Sequence, residues 1–424
     1  MQTRTTSLAI PPLPCLDGPH QPGITDPQWP MEVAPEDLPA GASIDAYKKD
    51  LAGRVARQRF MALAVIDLHV TSRAELKQAL QSLSDFAVKE MQRSPVSTHM
   101  PALGELPRTY RVTITLGLGA RLFLDEHGDD RFGIRGHKPN FLKTMPEFTG
   151  DAPGFAPERE ASDLIVIVCS DHPYVNVAIL RSLAHGYVHK SIGVRRIEQG
   201  FDRPDKREFL RFDDGIDNLV NSAANRELDN MVYIADGDGE PSWCRGGSYM
   251  VYRKISENLP VWEHIKVHAQ EEMIGRRKWE NTPLSGGNAE NPMIPVYPSP
   301  TDASGTPLTA HIRKVQPRRS YADLFGCHDL ERRFLRRPYP FFDGVDANGS
   351  VICGLHFIAY MRNLRKQFEW VAQIWQTNPD FPEKGAGIDA LYGKGILSNV
   401  TGGYYFCPPA PRGAGGFIGS ALFE

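Results

Sequence analysis

Apolar residues along this chain fall into two successive series, each mixing strand-like and helix-like spacing. In the first, RFMALAVIDLHV (59–70) is a continuous apolar run of strand type. The following TSRAELKQALQSLSDFAVKEM changes period. Leu76, Leu80, Leu83 and Ala87 share one helical face, and Ser72 with Glu75 forms a capping box. YRVTITLGL (110–118) alternates and is rich in β-branched residues, which predicts a strand, and DLIVIVCS (163–170) predicts another. DHPYVNVAILRSLAHG places Asp171 as a cap and Pro173 in the first turn of a helix. IGVRRIEQGF (192–201) closes the series as β-α-β-β-α-β.

The second series repeats that order without repeating the sequence. GGSYMVYRKI (246–255) is a strand and VWEHIKVHAQEEMIG (261–275) a helix. RFLRRPYPFF (333–342) and VICGLHFIAYM (351–361) are strands separated by the turn residues DGVDANGS. LRKQFEWVAQIWQ (364–376) is a helix and GGYYFCPP (402–409) the final strand. This is the split βαβ, or ferredoxin-like, order taken twice. The expected fold is therefore α+β: two domains, each an antiparallel sheet with helices on one face and the other face left to be covered. A length of 424 residues accommodates both. We expect a proline-rich arm over 1–45, a first domain over 46–205 and a second over 206–424.

Composition narrows the class. Apolar residues are 41% and charged residues 23%, as in globular proteins. The net charge is −3 with no Lys/Arg run, which argues against nucleic acid as a partner. No run approaches the roughly 20 apolar residues needed to span a bilayer, and the N-terminus lacks a signal-peptide core. No membrane partner and a cytoplasmic location are the expectations. Six cysteines (Cys15, Cys169, Cys244, Cys327, Cys353, Cys407) lie far apart with no C-x-x-C pair, which fits neither a zinc site nor a disulfide scaffold. Cys169 and Cys353 sit in apolar runs, as buried thiols do.

Few stretches carry chemistry. RFDDGIDN (211–218) reads first as a turn, because Asp-Gly is a common turn dipeptide. The GLG at Gly117 lacks the remaining glycine of a dinucleotide loop, and DANG (346–349) and DGDGE (236–240) are incomplete as calcium loops. HIRKVQPR (311–318) sets an arginine two residues after a histidine. Haem asks for such a pair, an axial imidazole and a cation for a propionate. A structural histidine is the commoner outcome, and both readings stand at this point. FLRRPYPFFDG (334–344) sets two arginines among apolar neighbours, so one should point inward. In CGLHFIAY (353–360), alternation puts Leu355 and Phe357 on one face and His356 on the other.

Taken together, these pieces resemble the dye-decolorizing peroxidases, a haem b family built of two ferredoxin-like domains. The resemblance spans nearly the whole chain, from GPHQPGI (18–24) through SDLIVIVCSDHPYV, GGSYMVYRKI and EEMIGRRK to GGFIGSALFE. It implies a peroxidase that reduces hydrogen peroxide and oxidises a small organic reductant such as a phenol or dye. Asp214 falls on the family's distal catalytic carboxylate in G-x-x-D-G, and Asp213 on the variable position before it. His311 falls on the proximal iron ligand and Arg336 on the distal arginine. Leu355 and Phe357 fall on the apolar distal pair. Arg313 is implied as a propionate partner and Asp389 as the acid behind the proximal imidazole. Trp370 and Trp375 are candidate electron relays, although packing is their commoner role. Arg211 stands where the family has glycine, and its side chain could narrow the pocket or act on Asp214 through its charge. A haem carrier or sensor, or an oxidase or peroxygenase of one metabolite, are the alternatives. Self-association is left open.

Overall fold

The computed structural model describes residues 19–26, 43, 55, 57–92, 111–185, 190–203, 207–220, 226–413 and 415–424. Most of the expected arm over 1–45, and Cys15 with it, lies outside the described residues.

The first half runs β1 (Phe60–Leu68), α1 (Arg73–Gln92), β2 (Thr113–Gly119), β3 (Leu164–Ser170), α2 (Pro173–His185) and β4 (Ile192–Phe201). The capping box before α1 forms as the sequence predicts. Glu75 N–H donates to Ser72 Oγ at 3.2 Å and Ser72 N–H to Glu75 Oε2 at 3.1 Å. Asp171, expected to cap α2, is held elsewhere by Arg111 through contacts of 2.6 and 2.8 Å. His172 takes over, its Nδ1 accepting from Tyr174 N–H at 3.2 Å.

The second half runs β5 (Ser248–Glu257), α3 (Leu259–Glu263), α4 (Val267–Ile274), α5 (His311–Val315), β6 (Leu335–Arg336), β7 (Tyr339–Val345), β8 (Val351–Met361), α6 (Arg365–Gln376), α7 (Ala390–Gly393) and β9 (Leu397–Cys407). The single helix expected over 261–275 is two. Gln270 Nε2 donates to Trp262 C=O at 2.8 Å and so takes up a carbonyl that a continuous helix would use itself. The strand expected over 333–342 breaks between Arg336 and Tyr339, around a proline that has no N–H to donate. Helix α6 is wound as a π-helix, with Glu369 N–H donating to Leu364 C=O at 2.9 Å.

All strands join one nine-stranded antiparallel sheet in the order β4-β1-β3-β2-β9-β5-β8-β6, with β7 also on β8. Each half therefore repeats the 4-1-3-2 order of a ferredoxin-like unit. The halves meet where β2 pairs β9 at Leu118–Phe406 and Gly119–Tyr405. Gln21 extends that seam, donating to Leu116 C=O at 3.0 Å and Pro408 C=O at 2.9 Å, so this part of the arm is structural.

One face of the sheet packs against α1, α2 and α6 through residues such as Ala64, Val166, Leu80, Leu180, Val251 and Phe368. The other face closes on itself. Leu63 and Ile167 of the first half share a core with Tyr252, Ile358 and Tyr360 of the second. Strand β4 passes so close to β7 that a Cβ on Gly200 would lie 2.7 Å from that of Tyr339. Lys254 locks this closure from β5, reaching Glu198 at 2.5 Å and Asp343 at 2.6 Å. Arg337 points into the closed core, while its neighbour Arg336 points the other way. Both arginines of the LRRP stretch are thus turned inward, on opposite sides.

Candidate active site

The second half does not close its helix layer on its sheet. Between them lies about 1660 Å³ of empty space, some of it continuous with bulk solvent. Alternation builds the sheet wall. Arg253, Ile255 and Glu257 of β5 face the space, beside Leu355 and Phe357 of β8, with which Ile255 and Arg253 pair in register. His356 takes the opposite face, fully buried, its Nε2 3.1 Å from Gln199 C=O. Burial, aided by the Lys254 charge, pushes its pKa down to about 3, so it is a neutral core residue. The remaining walls come from His311, Ile312 and Val315 of α5, from Phe368, Val371 and Ala372 of α6, and from the loop over 208–217.

That loop carries the DDG stretch. Glu208 shapes it, accepting Leu210 N–H at 2.5 Å and Phe212 N–H at 3.1 Å. Arg211 follows at φ 70 and Gly215 at φ 106, both left-handed. The backbone at 211 thus keeps the conformation that glycine favours. Its side chain is exposed and takes no part in the cavity wall, which corrects the expectation that it narrows the pocket. Asp214 Oδ1 accepts from Arg336 Nη1 at 3.3 Å, and Arg336 Nη2 donates to Ile216 C=O at 2.9 Å. Asn218 fixes the backbone of Arg336 from both sides, at 3.1 and 2.7 Å. Asp214 Oδ2 is buried in the cavity wall with no hydrogen-bond partner. An unpaired buried carboxylate oxygen is costly unless something else meets it.

His311 opens α5 and faces the same space. Its Nδ1 donates to Asp389 Oδ2 at 2.7 Å, which leaves Nε2 free as a ligand atom. Asp389 is fully buried. It also accepts from Gln376 Nε2 at 3.0 Å and caps α7 through Leu391 N–H at 3.0 Å. Burial opposes a charge on His311, but the charge and hydrogen bond of Asp389 outweigh it and raise the imidazole pKa above its ordinary value.

Arg313 is not in this cavity. Residues two apart on a helix do not face each other. Its guanidinium instead donates to the carbonyls of Ser299, Pro300, Asp302 and Thr306 at 2.6–2.9 Å and lies over the Tyr297 ring. The expected propionate contact is therefore corrected. Cations that do line the cavity include Arg276 and Arg318, which the sequence reading passed over. Glu208, Glu257 and Gln376 were also passed over. Parity along β5 could have exposed Glu257, because it shares a face with Ile255. Of the tryptophans, Trp375 is fully buried against Phe381, a packing role. Trp370 is partly buried beneath the Arg332 guanidinium at 3.6 Å.

The walls suit haem. A flat, largely apolar group with acidic edges meets aliphatic and aromatic side chains, a free imidazole nitrogen and arginines. Gln316 Nε2 and Arg318 Nε are buried on this cavity without protein partners, as donors awaiting an anionic group are. Fold and site together define a haem-binding protein with an acid–arginine pair beside the binding space. The models for the N-terminal and C-terminal parts of Dyp-type peroxidases match residues 55–202 and 205–412, so the chain belongs to the Dyp-type peroxidase family. It is a haem-dependent peroxidase.

Among its relatives is the deferrochelatase of Escherichia coli O157:H7, 27% identical over 386 residues and covering 87% of this chain and 84% of that protein. That of Yersinia pestis is 26% identical over 390 residues, covering 87% and 82%. A DyP-type peroxidase from Streptomyces coelicolor superposes with a TM-score of 0.70 at 26% identity, covering 96% of each chain. Ferric DtpA from Streptomyces lividans gives the same TM-score, identity and coverage.

Proposed function

We propose that Asp214 and Arg336 carry the peroxide step beside a haem b whose iron is bound by His311. The observation that carries this reading is the Asp214–Arg336 pair with its free, buried Oδ2, in the same cavity as the imidazole that Asp389 orients. Haem, when bound, supplies the iron at which the peroxide O–O bond is broken. Asp214 Oδ2 accepts a proton from one peroxide oxygen and returns it to the other. Arg336, always charged, offsets the negative charge that develops on the departing oxygen. Leu355 and Phe357 keep that wall dry, which strengthens both effects. Asp389 makes the imidazole a stronger donor to iron. Arg276 and Arg318 take the place of Arg313 as partners for the propionates. The absence of any C-x-x-C-H attachment motif in the sequence supports a non-covalent haem b.

The substrates in this reading are hydrogen peroxide and a small organic reductant, in the cytoplasm. No helix among the described residues is long and apolar enough to cross a membrane. The division of domains near residues 205 and 206 is supported by the two family matches, which end at 202 and resume at 205. Rapid mixing of haem-loaded protein with peroxide tests the reading. A fast spectral change is expected, slowed by Asp214→Asn without loss of haem. Equal rates in the parent, Asp214→Asn and Arg336→Leu would overturn it.

A further inference from the structure

Asp214 is not the only acid on the cavity wall. Glu208, from the loop, and Glu257, from the end of β5, line the same space. Glu257 is 4% exposed, and its Oε2 is buried with no hydrogen-bond partner. The two carboxyls face each other, and both are directed at Leu210 N–H. Two adjacent buried carboxylates cannot both stay charged, so one proton is retained between them. Burial together with mutual repulsion raises the proton affinity of each, that of Glu208 to a pKa of about 7.

The surrounding charges do not relieve this. Asp214 adds a further negative charge from the same loop. Lys278, the nearby cation, is bound to Gln270 and lies over the Phe212 and Trp262 rings. Arg253, two positions along β5 from Ile255, is committed to Asp151 at 2.6 Å. Cys353, opposite on β8, is a buried neutral thiol. Arg336 is engaged with Asp214 and Ile216.

We propose that Glu208 and Glu257 form a proton-sharing pair that positions the Asp214 loop and adds a second titrating acid to the peroxide site. The pair rests on the reading of Asp214 given above and deepens it. With the proton present, the pair carries one negative charge and Glu208 keeps both loop N–H groups. Loss of the proton adds a second negative charge near Asp214, which opposes the charge developing on the departing peroxide oxygen. The peroxide step should then slow as pH rises through neutrality.

The two positions differ in what they tolerate. Both oxygens of Glu208 accept backbone N–H groups, so a glutamine there must turn an NH₂ towards a donor. Glu257 Oε2 accepts nothing, so a glutamine there can donate to Glu208 at every pH. Infrared titration of the haem-free protein should show a carboxylic acid C=O band that disappears near neutral pH and is missing in Glu257→Gln. In the haem-loaded protein, the peroxide step should fall by about tenfold across neutrality, one pK unit of interaction, and Glu257→Gln should remove that limb. Glu208→Gln should slow the step at all pH values with haem retained. A haem-free protein without the band, or the same near-neutral limb in parent and Glu257→Gln, would overturn the pair. Because the infrared band needs neither haem nor peroxide, its outcome is independent of whether Asp214 is the proton acceptor.

Discussion

The two halves of this molecule share a strand order and differ in how the helix layer meets the sheet. In the first half, Ala62, Ala64 and Ile66 of β1 and Val166 and Val168 of β3 meet α1 and α2 directly. Those helices run for 20 and 13 residues. In the second half, β5 begins the same way, with Tyr249 and Val251 in the core, and then changes character. Arg253, Ile255 and Glu257 face open space instead. The helix layer there is broken into short pieces, α5 of five residues and α7 of four, whose ends supply His311 and the Asp389 cap. One scaffold thus serves as a packed support or as a reaction vessel, depending on whether its helices are long enough to cover the sheet. Function resides in the site and not in the topology.

Substitutions in the two halves should separate accordingly. His311→Ala should lose most of the haem, measured by absorbance after reconstitution, whereas Arg313→Ala should retain it because that side chain lies outside the cavity. Asp214→Asn should slow the peroxide step by about 10²–10⁴-fold at unchanged haem content, while Asp213→Asn stays within a few-fold. In the first half, Leu80→Ala should cost about 2–5 kcal/mol in denaturant unfolding and leave the peroxide step of the folded, loaded protein unaltered. Slowed chemistry in that variant would erase the contrast between support and vessel.

A smaller effect concerns pH. The raised proton affinity of Glu208 means the folded state binds more protons than the unfolded chain between about 4.5 and 7. Its contribution is therefore complete below that window and is lost as pH rises through it. Glu257→Gln should flatten the fall in thermal midpoint over the same range. The smallest change is expected from Arg211→Gly. It relieves a left-handed residue worth about 1 kcal/mol, offset by the added flexibility of glycine in the unfolded chain, and it leaves the peroxide step intact.

Much of this was legible in the sequence, for definable reasons. Strands β1, β3, β5 and β8 declare themselves through apolar runs, and alternation alone separates Leu355 and Phe357 from His356. Asp214, Arg336, His311 and Asp389, distant in sequence, meet around one cavity, and their resemblance to a spaced family pattern is what linked them. Arg313 failed because two residues of helix turn a side chain about 200° away. Arg211 failed in a subtler way. The sequence showed a bulky residue in a position for glycine, but only the backbone reveals that φ is positive and that the side chain leaves the pocket. Glu208 and Glu257 lie 49 positions apart, and no local periodicity brings a loop acid to a strand acid. The split of the 261–275 helix depended on a side chain, Gln270, capping a backbone several residues earlier.

Strand β9 has a consequence for how the enzyme is made. It is the last strand in chain order, yet it lies at the middle of the sheet, between β2 and β5, and its Leu397 lines the cavity. During synthesis the first half emerges with the β2 edge unpaired, and an open edge invites mispairing. Until β9 leaves the ribosome, that edge has no partner and the haem space lacks a wall. Cofactor capture therefore follows translation, and a stalled or shortened chain that lacks β9 would be both haem-free and prone to associate through β2.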